Sequence, residues 1–269
     1  MYSVERHCYP MQSCLAIGKL MDRVSPNVIL NAAALTDVVL AERNPALAMA
    51  VNRDGVARLA HLAKAHDALL VHFSTDYVFN GSGKEPWQEG DQPGPLNVYG
   101  QSKWLGEQAI IDSGCRYLII RTSWLHSPWR HNFLKSMLCL GQSRDELSVV
   151  CDQIGAPTSA TLVAEVALHA VERILIEPTL AGLYHVTASG KVSWYDYARF
   201  IFSEANALGL ISNMPQVKPI TSQDYSGLVK RPLNSLLDSR LFQKTFELVL
   251  PDWHQEVRST LQALLKEQQ

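Results

Sequence analysis

The sequence predicts an α/β protein with a doubly wound parallel sheet, and three observations carry that prediction. Three short apolar runs, Val28-Ile29-Leu30, Leu69-Leu70-Val71-His72-Phe73 and Tyr117-Leu118-Ile119-Ile120, are continuous rather than alternating. Strands buried on both faces of a parallel sheet read this way. Helical patterns separate the runs, and the order strand, helix, strand, helix, strand is that of βαβ units.

The first intervening helix is predicted from Asn44-Pro45, an N-cap followed by proline at the first helical position. Leu47, Val51, Leu59, Leu62 and Ala63 then fall on roughly one face. Asn97 is read as the cap of a second helix carrying Trp104, Leu105 and Ile110. From about Cys151 the texture changes. Asp152-Gln-Ile-Gly-Ala-Pro-Thr158 precedes a helical stretch from Leu162 to Ile176, a strand-like Leu183 to Val186 and a helix beginning near Trp194. Ser212 to Leu233, with Pro215, Pro219, Gly227 and Pro232, reads as the longest turn-rich segment, and Asp252 to Lys266 as a closing helix. Two parts are expected: residues 1–150 as the sheet domain and 151–269 as mainly a smaller lobe, some of whose segments return to the first part, with a ligand cleft between them.

Composition narrows the function. The 269 residues carry 24 Lys+Arg against 26 Asp+Glu, a net charge of −2, and 47% are hydrophobic. Such a chain is too apolar for disorder and too nearly neutral for a nucleic-acid wrapper or a polybasic membrane binder. No uncharged run approaches the ~18 residues of a spanning helix. The first twenty residues hold Glu5, Arg6 and Lys19 without a signal-like apolar block, so a soluble cytoplasmic protein is expected. Five scattered cysteines, none in Cys-x-x-Cys, fit a reducing compartment, and His126 and His131, five apart, do not form a helical ligand pair.

Ligands of open α/β sheets bind beyond the carboxyl ends of the strands. There the sequence places Asn31-Ala-Ala-Ala-Leu-Thr36, Ser74-Thr-Asp-Tyr77 and Arg121-Thr-Ser-Trp124. The sharpest constellation is Tyr99-Gly-Gln-Ser-Lys103 near a helix start, where a spacing of four puts phenol and ammonium on one face. A fixed cation lowers a phenol's pKa toward neutrality and makes it a general acid or base. Thr75 is positioned to hold the substrate oxygen that exchanges the proton.

Asn31-Ala-Ala-Ala, Ser74-Thr-Asp-Tyr-Val-Phe79, Pro95-Leu-Asn-Val-Tyr-Gly-Gln-Ser-Lys103, Arg121-Thr-Ser-Trp124, Asp152 to Thr158 and Arg231-Pro-Leu-Asn-Ser235 together resemble the successive motifs of the dTDP-4-dehydrorhamnose reductases. These are extended short-chain dehydrogenase/reductases with a Rossmann-like fold, and the resemblance runs from about Ser25 to the C-terminus. It implies that Tyr99 is the proton donor, that Lys103 binds the nicotinamide ribose and tunes Tyr99, and that Thr75 lies near the substrate carbonyl. It further implies that Ala34, Leu35 and Thr36 line the cofactor with Tyr99 and Lys103, and that Thr75, Asp76 and Trp124 contact the deoxysugar nucleotide. The implied reaction is hydride transfer from NADPH, or NADH, to the C4 ketone of dTDP-4-dehydro-β-L-rhamnose, giving dTDP-L-rhamnose for surface polysaccharide (O-antigen) synthesis. Related dehydratases carry a glutamate after the Thr-Asp pair, where this chain has Tyr77. A homodimer and Mg²⁺ are also implied as possible, without assignable metal ligands. Arg231 reads equally as a bidentate donor to the substrate diphosphate and as a structural arginine before a turn.

The chain departs from the family pattern near its start. The family opens on a glycine-rich turn that seats pyrophosphate at a helix N-terminus. Here the early glycines are at 18, 55, 81 and 83, and Gly81-Ser-Gly83 reads as a turn that continues to Pro86. The sequence is therefore expected to begin inside the pattern, short of the first strand and the phosphate turn by roughly 30 residues. Tyr9 to Gln12 stands where an aspartate is usual, and Val39-Leu40 where Asp-Lys is. Weak cofactor binding and an exposed sheet edge are the expected consequences. The retained Thr75, Tyr99 and Lys103 favour a shortened reading of an active reductase; the alternative is a non-catalytic sugar-nucleotide-binding or regulatory subunit.

Overall fold

The computed structural model describes residues 14–225 and 227–267. Expectations about Met1 to Ser13, including Tyr9 to Gln12, lie outside the described residues. Helix α1 (Cys14–Val24) leads into strand β1 (Val28–Asn31), followed by helices α2 (Val38–Arg43) and α3 (Pro45–Met49). Asn44 caps α3 by accepting from Leu47 N at 3.1 Å, with Pro45 at the first position as predicted. A wide π-helical turn, Ala50–Asp54, joins α3 to α4 (Gly55–Ala65). Next come β2 (Leu69–Thr75), α5 (Val98–Ser113) and β3 (Tyr117–Thr122). Asn97 caps α5 through Gly100 N at 2.9 Å, and Gly114, with φ +65°, ends it in the left-handed region.

The rest of the chain runs through β4 (Leu125–His126), α6 (Phe133–Ser143), β5 (Glu146–Val150), β6 (Ile154–Gly155) and β7 (Thr158–Ser159). Then follow α7 (Ala160–Ile176), β8 (Gly182–His185), β9 (Val192–Ser193) and α8 (Trp194–Ala207). Strand β10 (Gln216–Ile220) and helices α9 (Arg240–Phe246) and α10 (Trp253–Glu267) complete it. The turn-rich reading of 212–233 missed β10, which runs parallel to β5 in register from Gln216↔Glu146 to Ile220↔Val150. Proline is tolerated at position 219 because β10 is paired on one side only, and an outward-facing position needs no N–H.

The main sheet is parallel, in the order β1-β2-β3-β8. Its pleat explains the continuous apolar runs. Ile29, Leu70 and Ile119 face α4 and α5, packing with Val56, Leu59, Ala60, Ala63 and Ile110. Leu69, Val71, Leu118 and Ile120 face the other way, into a core with Leu162, Val163, Ala170 and Ile174 of α7. Helices thus cover both faces, and each fully buried Leu or Ile contributes roughly 1.5–3 kcal/mol. Toward the carboxyl ends, the α5 face turns polar: Asn31 pairs with His72, and Ser74 with Arg121, which in turn pairs with His185. β1 is an edge of the described sheet, and its Leu30 is 47% exposed. Among the described residues no helix is long and apolar enough to cross a membrane.

Candidate active site

The carboxyl end of β2 meets the N-terminus of α5. Thr75 ends the strand; its hydroxyl donates to Asp76 Oδ1 at 3.1 Å and accepts from Tyr77 N at 3.2 Å. The Tyr99 phenol, in the first turn of α5, lies beside the Thr75 hydroxyl, which works to lower its pKa. Tyr77 meets the Tyr99 ring edge-on, with centroids 5.6 Å apart. The approach is that close because residue 100 is glycine: a Cβ there would lie 2.1 Å from Tyr77 O. Val98 N donates to Glu42 at 3.0 Å, and Asn97 Nδ2 donates to Lys230 O at 3.0 Å, so both flanking segments are fastened to the helix start.

One turn along α5, Lys103 is 2% exposed. Its Nζ donates to Phe73 O at 2.6 Å and lies 3.1 Å from His72 Nε2. A turn further, Glu107 forms a buried bidentate pair with Arg121, at 3.0 and 2.6 Å. Burial lowers Lys103 to about 8, with Glu107 opposing. Burial likewise pushes Asp76 up to about 7, against the neighbouring Ser235 hydroxyl and the hydrogen bond from Thr75, and Tyr77 up to about 12. Tyr99 differs from the sequence expectation. Burial drives its phenol well above the ordinary value, the charges of Asp76 and Tyr77 add to that, and the lysine expected to lower it is engaged with His72 and Phe73 O.

The other motifs close around this edge. Trp124 sits in the left-handed region at φ 48°, its ring stacked on Trp194 at 3.5 Å, with Gly155 beneath it. A Cβ at 155 would lie 2.4 Å from the indole, so glycine is what lets the ring lie there. Ser235 N donates to Ile154 O, Ile154 N to Leu233 O, and Asn234 N to Gly81 O. Asp152 accepts from Ser222 N and Oγ. Gly81, φ +70°, packs on Pro232, consistent with its reading as a turn.

Sequence reasoning overlooked Asn52 and His72. Asn52, in the π turn, accepts from Leu35 N at 2.8 Å and donates to Leu35 O and Ser102 Oγ, each at 3.0 Å. It ties the Ala34-Leu35-Thr36 loop to α5 between Tyr99 and Lys103. A buried polar residue inside an apolar run was the available signal for both. The structure thus brings Thr75, Asp76, Tyr99 and Lys103 together, with the 34–36 loop fastened alongside.

Ser74 Oγ, Asp76 Oδ2, Thr122 Oγ1 and Ser123 Oγ are buried without a partner. Buried polar groups are normally satisfied, so four unpaired ones at the ends of β2 and β3 fit a polar ligand there. Among the described residues no three His, Cys, Asp or Glu side chains group as a metal site.

A parallel sheet with helices on both faces and a Tyr–Lys pair against a strand-end hydroxyl is the architecture of an NAD(P)-dependent oxidoreductase of the extended short-chain dehydrogenase/reductase class. The chain belongs to the family whose model is described as RmlD substrate binding domain, which matches residues 1–266. It is 41% identical over 258 residues to the dTDP-4-dehydrorhamnose reductase of Escherichia coli (strain K12), covering 96% of this chain and 86% of that protein. Among solved structures, a dTDP-4-dehydrorhamnose reductase from Clostridium acetobutylicum is similar at 35% identity and a TM-score of 0.86, covering 94% of this chain and 86% of that one. The enzyme of that name from Bacillus anthracis, in complex with NADP, is similar at 32% identity and a TM-score of 0.85 with the same coverage.

Proposed function

We propose that this protein reduces the C4 ketone of dTDP-4-dehydro-β-L-rhamnose to dTDP-L-rhamnose with NADPH, in the synthesis of surface polysaccharide. The observation that carries the reading is the joining of Thr75, Tyr99 and Lys103 beside four unpaired buried polar atoms. NADPH supplies the hydride when bound. Lys103 would hold its nicotinamide ribose and the Ala34-Leu35-Thr36 loop, which Asn52 fastens to α5 beside Lys103, would line the cofactor.

The chain's own residues manage the proton. Tyr99, raised by burial, keeps its proton at neutral pH and is a donor to the alkoxide that forms at C4. Thr75, whose hydroxyl lies beside the Tyr99 phenol, marks where the substrate oxygen would sit. Asp76 and Trp124 would contact the sugar nucleotide, and the 151–269 portion would supply most of its lobe. Family resemblance supports a cytoplasmic homodimer, with Mg²⁺ at its contact; native mass with and without EDTA tests both.

The deciding experiment incubates the purified chain with NADPH and the ketosugar nucleotide, following NADPH absorbance and product by NMR. Stoichiometric appearance of the C4 alcohol is expected. Tight dTDP binding without NADPH consumption would overturn the reading in favour of a binding subunit.

A further inference from the structure

The proposed mechanism uses Lys103 but not what stands behind it. Asn31 and His72 face each other across β1 and β2 in direct register, 4% and 0% exposed. Ala33 N–H donates to Asn31 Oδ1 at 3.2 Å, which turns the amide's Nδ2 toward His72 Nδ1, 3.0 Å away. Burial, the largest cause, lowers His72 well below its ordinary value, so the imidazole is neutral and carries one proton whichever state Lys103 is in. With Nδ1 accepting from Asn31, that proton is on Nε2 and points at Lys103 Nζ, 3.1 Å away. An ammonium has no lone pair to receive it. This hydrogen-bond polarity is satisfied by Lys103 as an uncharged amine, accepting from His72 and donating to Phe73 O, a state that its lowering by burial to about 8 brings within reach just above neutral pH.

The opposite polarity is also self-consistent. A charged Lys103 donates to Nε2, the imidazole proton moves to Nδ1, and Asn31 must present Oδ1 to it. That rotation takes Oδ1 away from Ala33 N–H, which then needs another acceptor. We propose that His72 is a positioning residue that ties the charge on Lys103 to the orientation of the Asn31 amide, and through it to whether an acceptor from outside the chain takes the Ala33 N–H. Ala33 adjoins the loop expected to line the cofactor, so occupation of that loop would load the proton that makes Lys103 a cation beside Tyr99. The catalytic meaning rests on the reductase reading; the switch itself does not.

The other groups around the imidazole do not decide its state. Glu107 on α5 favours a charged Lys103 but is paired with Arg121 on β3. Beyond these, Tyr99 and Asp76 border the site at the ends of α5 and β2, and β1 contributes only the neutral Asn31 at this level.

The test reads the tautomer directly. In protein labelled with ¹⁵N-histidine at pH 9, above the Lys103 titration, without nucleotide, His72, assigned by the signal lost in His72→Gln or by through-bond correlation if that variant does not fold, is expected to carry its proton on Nε2. A proton on Nδ1 would overturn the proposal. Asn31→Asp, whose carboxylate only accepts, is expected to move the proton to Nδ1 and to raise the Lys103 titration, read at its Cε resonance, by about one unit or more. An unchanged tautomer in that variant would also overturn it. Where reduction is measurable, the alkaline limit of kcat/KM should rise with the Lys103 midpoint, whereas a purely packing role would leave it in place. Absence of reductase activity would refute the reductase reading and leave the tautomer measurement intact.

Discussion

Replacing Gly100 by alanine tests whether the Thr75–Tyr99 contact is the reactive centre. A Cβ at position 100 would lie 2.1 Å from Tyr77 O, 2.9 Å from its carbonyl carbon and 3.1 Å from Pro95 Cβ. An unstrained carbon–oxygen contact is about 3.3 Å, so α5 and the Tyr77 backbone must separate by about 1 Å. No flexible side-chain end can absorb this, because Tyr77 is held through its own N–H to Thr75 and the start of α5 through Asn97 and Glu42. The displacement opens between Thr75 and Tyr99, which flank the clash. A misplacement of about 1 Å costs on the order of 100-fold in rate, and overpacking of this kind roughly 1–3 kcal/mol in stability. Initial rates of NADPH oxidation should fall about 100-fold while urea unfolding stays cooperative. Gly90→Ala, where a Cβ meets nothing within 4 Å, should change neither. A folded Gly100→Ala protein working at the parent rate would show that the Thr75–Tyr99 spacing is not the reactive geometry.

Tyr99→Phe should lower kcat by about 10²- to 10⁴-fold and leave dTDP-sugar affinity nearly intact, since only the proton donor is lost; equal turnover would sink the assignment. Glu107→Gln leaves Arg121 unpaired in a site where the two side chains are 4% and 0% exposed, and should cost about 3–5 kcal/mol by chemical denaturation. A loss below 1 kcal/mol would mean that water reaches Arg121. Asp76 sets a pH dependence of definite sign. Its folded pKa of about 7 lies above the unfolded 3.8, so the folded state holds the extra proton between these values, and stability falls as pH rises from 4 to 7. Asp76→Asn should flatten that slope, by up to about 4 kcal/mol across the window, and an unchanged slope would place its origin elsewhere.

Much of the fold was readable because burial on both sides leaves a simple trace. Val28 to Leu30, Leu69 to Phe73 and Tyr117 to Ile120 each became a sheet strand, and the caps at Asn44 and Asn97 lie where side-chain chemistry placed them. Strand β10 was hidden because Pro219 argues against a strand unless the partner-free side is known, which is tertiary information. At the site, Tyr99 and Lys103 were legible from their spacing. The state of Tyr99 was not, since it depends on how deeply the helix start is buried and on what else engages the lysine. The polar Asn52 stood out in an apolar run, but its role was illegible for a related reason: its partners Leu35 and Ser102 lie 17 and 50 residues away.

The alternation that builds the core also selects the groups behind the lysine. In β2, Leu70 packs beneath α4 and α5, so His72 and Ser74 must emerge on that same face, while Val71 and Phe73 are committed to the opposite one. A slip of one residue would put Val71 against Lys103, leaving the lysine without its His72 partner, and drive His72 into the α7 core as an unpaired imidazole. The penalty falls on the hydrophobic packing and on the hydrogen-bond chain together. Register in β2 is therefore set by Leu69, Leu70 and Val71, and the position of His72 behind Lys103 follows from it rather than from any contact the imidazole makes.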